Sequence, residues 1–202
     1  MISRRPGRPP AGGNVIDCAG TGQDGEIQAG KTLNYKDEGD GTIEDKATDL
    51  VWEKKSDDGG IHDVGNTYTW NDAFDVHVAT LNNICANDET VDCSVGGDAD
   101  CAGVGGECGF AGKRDWRLPN VKELQSIVNY ENVNPAVSAA FNTDCPGATV
   151  LTGSCTAASI YWSSTSLAFN PSLAWAVNFI DGFVFALNKG GTDHVRAVRG
   201  GL

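Results

Sequence analysis

The chain has no run approaching the ~20 consecutive apolar residues that a membrane-spanning helix needs, so no segment reads as a span. It carries three histidines, His62, His77 and His194, none at metal-ligand spacing, which leaves a zinc or non-haem iron centre without its usual donors. None of its seven cysteines forms a CxxC pair, which removes zinc-ribbon and thioredoxin-type readings. No G-x-S-x-G elbow surrounds Ser163 and Ser164, so these serines are not read as nucleophiles. The only N-glycosylation-like triplet, "NPS" at Asn170, is blocked by its proline.

Negative charge is missing from the first 16 residues, where Arg4, Arg5 and Arg8 stand, and abundant after them. With those three arginines set aside, twelve basic residues face 27 acidic ones from Asp17 onward, a balance of −15. Such a body repels nucleic acid, anionic lipid and sulfated polysaccharide. Cations, neutral glycans and basic protein patches are readier partners. The N-terminal "MISRRPGRPPAGGN" has the charge of an export signal without an apolar stretch behind it, and suggests that a true signal lies upstream of Met1.

Twenty-six glycines point to a turn-rich fold, and a hydrophobic content of 40% supplies a core. Cys18, Cys85, Cys93, Cys101, Cys108, Cys145 and Cys155 read as loop staples of an oxidising compartment. Cys145 and Cys155 close the short "CPGATVLTGSC" and are the most direct pair; the other pairings stay open, and an odd count leaves one thiol over.

Residues 1–19 read as a flexible arm and 20–202 as one domain with a Cys/Gly-rich insertion at 85–112. Short strands are expected near 33–36, 42–45 and 50–54. "TWNDAFDVHVATLNNI" predicts a helix capped by Thr69, with Phe74, His77/Val78, Leu81 and Ile84 on one face. "DWRLP" predicts a strand stopped by Pro119, and Asn120 with Glu123 three residues on predicts a capping box for the helix that follows. "IYWSSTS" reads as a strand, and "AWAVNFIDGFVFALNK" as a hairpin turning at Asp181-Gly182, with Trp175, Val177 and Phe179 on the face opposed by Val184 and Ala186. "HVRAVRGG" supplies a closing strand. The order is that of an α+β domain on a twisted antiparallel sheet.

Six blocks in order, "DGEIQAG", "YKDEGDGTIEDKATDLVWEK", "DWRLPNVKELQSIV", "YWSSTS", "AWAVNFIDG" and "VRAVRGG", resemble the bacterial DUF1566 family, that of the C-terminal domain of the Legionella collagen-like adhesin. The resemblance spans roughly residues 20–201; Asp49 stands where glycine is usual and Glu38 where asparagine is common, and Asp tolerates the left-handed backbone that such a glycine serves. It implies a fold like that of C-type lectins and formylglycine-generating enzymes: two helices on antiparallel sheets, loop-rich and disulfide-stapled. That fold hosts adhesion, recognition and catalysis alike. The adhesin's domain is associated with sulfated glycosaminoglycans, a ligand that a −15 body opposes. An oxidase of the fold would need a late cysteine pair, and no cysteine follows Cys155.

The expectations for function follow. No catalytic residue is assigned, and no cofactor apart from calcium, for which Asp57, Asp58 and Asp63 in "SDDGGIHDVGN" offer hard oxygen ligands. Trp116, Arg117, Pro119, Trp162, Trp175, Arg196 and Arg199 are assigned structural roles, the arginines pairing with carboxylates such as Asp115 or Glu123, or with backbone carbonyls. The chain is expected to be an exported recognition or adhesion domain, extracellular, at the cell surface or in the periplasm, binding a glycan or protein. A formylglycine-generating-type enzyme and a purely structural envelope module are the alternatives.

Overall fold

The computed structural model describes residues 17–27 and 29–201, so most of the expected N-terminal arm lies outside the described residues. Strands β1 (Tyr35–Asp37), β2 (Thr42–Asp45) and β3 (Leu50–Glu53) form an antiparallel meander, which β11 (Val198–Gly200) completes beside β3. β4 (Tyr68–Thr69) leads into helix α1 over 70–81 and pairs with β10 (Thr192–Asp193). β5 (Ile84–Cys85) and β6 (Asp88–Asp92) open the cysteine-rich insertion, α2 (Val121–Ser126) follows it, and β7 (Ile160–Ser166), β8 (Leu173–Asn178) and β9 (Phe183–Asn188) form a second antiparallel sheet. The α+β, loop-rich and disulfide-stapled expectation holds.

The second sheet sits in the middle because its alternation is apolar on both faces. Tyr161 and Val177 turn toward the first sheet and α2, packing with Ile43, Trp52, Leu124, Ile127 and Val198. Their neighbours Trp162, Ala174 and Ala176 turn the other way and take up Ala73, Phe74 and Val78 of α1. The expected hairpin register is present, with Trp175 opposite Ala186 and Val177 opposite Val184. Its connection differs from the two-residue turn expected: residues 179–182 form it, because buried Phe179 is drawn down against Tyr161.

Three other local expectations change. "DWRLP" makes no strand; Arg117 forms a single bridge to Val198 before Pro119 ends the pairing. Ile84 leaves the helix and enters β5. Helix α1 widens to π-helical geometry over Ala73–Val78 after Thr69 caps Asp72, and a π segment shifts the phase of the side chains beyond it. Trp52, Trp116 and Trp162 are core residues, whereas Trp70 and Trp175 are half-buried.

The stretch around α2 is a pin. Asn120 accepts from Lys122 N and Glu123 N while Glu123 accepts from Asn120 N, closing the capping box. Arg117 then grips both Glu123 oxygens at 2.7 Å and donates to the Gly200 carbonyl, tying the cap to β11. Arg199 pairs with Asp115 at 2.7 Å, the carboxylate partner expected for it. Asp49 adopts a left-handed φ of 59°, the conformation for which the family's glycine is suited.

Candidate functional site

The densest chemistry in the molecule surrounds Glu53, the last residue of β3. Its neighbours Leu50 and Trp52 face the main core, so alternation turns Glu53 to the opposite side, toward α1. There it is fully buried and accepts four hydrogen bonds. Lys55 Nζ lies at 3.0 Å and His62 Nδ1 at 2.8 Å from Oε1; His77 Nε2 lies at 2.9 Å and Ala197 N at 2.8 Å from Oε2. The π-helical stretch of α1 includes His77, and the polar 56–66 loop carries His62. Arg196 closes the group from below, donating to the carbonyls of Glu53 and Cys155 and to Thr156 Oγ1, with Phe141 under its guanidinium at 5.1 Å. Of the two partners expected for Arg196, backbone carbonyl is the one it takes.

Burial alone would raise the Glu53 carboxyl, but His77, Lys55 and His62 together hold it well below the ordinary carboxylate range. Burial depresses His77, whose Nδ1 has no hydrogen-bond partner while Nε2 faces Glu53, which favours the neutral ring with its proton on Nε2. His62 goes the other way. Burial is outweighed by Glu53 on one ring nitrogen and Glu89 at 3.1 Å on the other, and the imidazolium is favoured. Glu53, His62 and Glu89 thus form a carboxylate–imidazolium–carboxylate chain from the core to β6 of the insertion.

The two histidines and the carboxylate therefore do meet, which their spacing did not reveal. They meet as donors aimed at an acceptor, with no lone pair left pointing at a common centre. His194 lies apart, stacked on Tyr161 at 5.2 Å. The arrangement is a sealed polar keystone joining β3, α1, the 56–66 loop and the closing segment. One consequence is measurable. A raised histidine pKa contributes stability below the ordinary imidazole range that is lost as pH rises through the folded value. His62→Gln is expected to abolish this alkaline decline, at a cost near neutrality of roughly 1.5–3 kcal/mol for hydrogen bonds to charged groups. Urea midpoints of both proteins across the neutral to alkaline range check it.

Asp57, Asp58 and Asp63 are occupied with the backbone. Asp57 accepts from Gly147 N at 2.8 Å, Asp58 from Gly60 N and Ser56 Oγ, and Asp63 from Gly59 N and Gly65 N. Asp57 thereby braces the Cys145–Cys155 loop, helped by its own N–H on the Ala148 carbonyl. Among the described residues, the set of His, Cys and acidic side chains that brings three donor atoms within 4.8 Å of one another is Cys85, Cys93 and Cys101. Those sulfurs are spent in disulfides, Cys85–Cys101 and Cys93–Cys108, whose crossed pairing was not legible in the spacing.

The insertion is seated by Trp116 and Asn82. Trp116 Nε1 donates to the Phe110 carbonyl, and Asn82 exchanges hydrogen bonds with the Trp116 backbone through both ends of its amide. Phe110 then packs between Trp116 and His62 and presses against Gly41. This brings two stapled excursions, 85–108 and 145–155, to either side of the β1–β2 turn. Between them lies an open cleft of about 510 Å³ lined by Asp40, Asn87, Glu107, Ala111, Gly112 and Leu151. Leu151 is 63% exposed at its rim. The insertion and the Cys145–Cys155 loop were read separately in the sequence; their meeting was not.

The family model for the Lcl C-terminal domain matches residues 41–199, and the chain belongs to that family. Comparison with curated proteins gave no match. No helix among the described residues is long and apolar enough to cross a membrane.

Proposed function

Starting from that membership, we propose that the chain is a non-catalytic, exported recognition domain of C-type-lectin-like architecture that engages a glycan or protein at the cell surface through the cleft between its two stapled loops. The observation that carries this reading is the division of labour in the structure. The reactive-looking groups around Glu53 are sealed and paired with one another, while the exposed cleft combines an apolar rim with carboxylates and an amide. Asp40, Glu107 and Asn87 are hydrogen-bonding partners for sugar hydroxyls or for a basic side chain, and Leu151 offers apolar contact. Carboxylates in the walls disfavour sulfated or phosphorylated ligands. Three disulfides suit an oxidising compartment and hold the loops in place before binding, which lowers the ordering cost.

The test is a screen of neutral and sulfated glycans and basic peptides against the native protein, followed by Asn87→Ala, Glu107→Gln and Leu151→Ala. The expected result is retention of a neutral glycan or basic peptide, and a loss of about tenfold or more in affinity for the variants with unchanged melting temperature. Binding that the three variants leave intact would move the site elsewhere. Turnover of a thiol or peptide substrate by the native protein would favour the enzyme of related fold.

A further inference from the structure

β9 is the outer strand of the second sheet, paired with β8 and, among the described residues, with no strand on its other side. Among the described residues, no hydrogen bond from outside that sheet reaches residues 184–187. The direction of the free groups follows from two bonds. Lys189 N donates to the Ser172 carbonyl, and on the far side of the sheet Trp162 N donates to the His194 carbonyl, away from β8. Antiparallel ladders alternate, so Phe183, Phe185 and Leu187 direct their backbone groups at β8, while Val184 and Ala186 direct theirs outward. The strand "FVFALN" has no charge, no proline and no bulge, the devices that keep an edge from pairing. Its side chains repeat the message: Phe183 is 63% exposed and stacks on Phe185 at 5.5 Å.

We infer that β9 pairs with β9 of a second copy of this chain, antiparallel about a twofold axis at Phe185. In that register Val184 exchanges both backbone bonds with Ala186 of the other copy, and Ala186 with its Val184. Every outward group of the strand interior is then used. Shifting by one pair toward either end brings in groups already engaged, since Gly182 N donates to the Asn178 carbonyl and the Asn188 carbonyl accepts from Gly191 N. Phe185 meets its own counterpart at the non-hydrogen-bonded position, where side chains approach most closely. Phe183 falls opposite Leu187, which covers the exposed ring. Asp181 at one end of the strand and Lys189 at the other bring unlike charges to the same ends of the pair. The net charge of −12 opposes association, so the dimer strengthens as salt screens the repulsion.

Sedimentation of the native chain over a concentration series, at low and high salt, is expected to show a monomer–dimer equilibrium that shifts toward dimer with salt. Ala186→Pro removes one outward N–H, a position at which a strand tolerates proline, and leaves the β8 ladder whole. It is expected to weaken association about tenfold or more with little change in melting temperature. Phe185→Cys is expected to yield a disulfide-linked dimer on a non-reducing gel where the native chain yields none, and it tests the register even if the proline variant does not fold. A native chain that stays monomeric throughout overturns the inference, as does undiminished association of Ala186→Pro. Dimers of Phe185→Cys that do not cross-link overturn the register.

Discussion

Glu53→Gln is expected to lower the melting temperature by on the order of 10 °C. The substitution keeps the shape of the side chain and removes the negative charge that buried Lys55, His62 and His77 share. Removing one partner of a buried charge group strands the others and typically costs about 3–5 kcal/mol. For a chain of this size each kcal/mol moves the transition by about 2–4 °C. The loss is expected to be largely recovered by Lys55→Met in the same chain, because the stranded ammonium, rather than a missing attraction, is the main penalty. The pH dependence has a definite sign. The Glu53 carboxyl is depressed in the folded state, so its contribution is present above the ordinary carboxylate range and is lost as pH falls through the folded value. Native and variant melting curves should therefore converge in acid, and differential scanning calorimetry across that range is the measurement.

Gly109→Ala should be nearly as damaging, for a reason of geometry alone. At φ 99° and ψ 147° the backbone occupies a region almost restricted to glycine. A Cβ placed there would stand 2.0 Å from the Lys113 carbonyl oxygen and 2.9 Å from Arg114 Cγ. The conformational cost alone is about 1–3 kcal/mol, and relieving the overlap must displace backbone. The displacement would fall where Gly109 N bonds the Ile84 carbonyl, beside Cys108 and Phe110. The expected outcome is a loss of at least about 3 kcal/mol, together with chains in which Cys93–Cys108 has not formed, seen by peptide mapping under non-reducing conditions. Gly103→Ala is the internal control. It lies in the same insertion with open space at its Cβ and should change stability by less than about 0.5 kcal/mol.

The two substitutions fall on opposite sides of what the sequence makes legible. The insertion was visible as a stapled segment, yet Gly109 was one glycine among many in it; only the approach of Lys113 singles it out. "LVWEKK" reads as a strand with a polar end, and nothing within it says that the Glu53 carboxylate is sealed among three ionisable side chains, Lys55, His62 and His77. The helical pattern placed His77 on the buried face correctly, without naming what it meets there.

By itself the sequence determined the features whose cause lies within a few residues. Asn120 and Glu123 cap α2 because a box closes over three positions. Strand alternation placed Trp175 and Val177 opposite Ala186 and Val184, and a ten-residue separation brought Cys145 to Cys155. Such signals survive in sequence because neighbouring residues carry both halves of the interaction. Tertiary structure alone decided the rest. Glu53 gathers His62 from nine residues away, His77 from 24 and Ala197 N from 144, distances at which no local period operates. The crossed disulfides, the cleft between two separately stapled loops and the bare edge of β9 have the same origin. Each depends on which faces the packed sheets leave turned toward one another, and that is settled by burial of the whole chain at once.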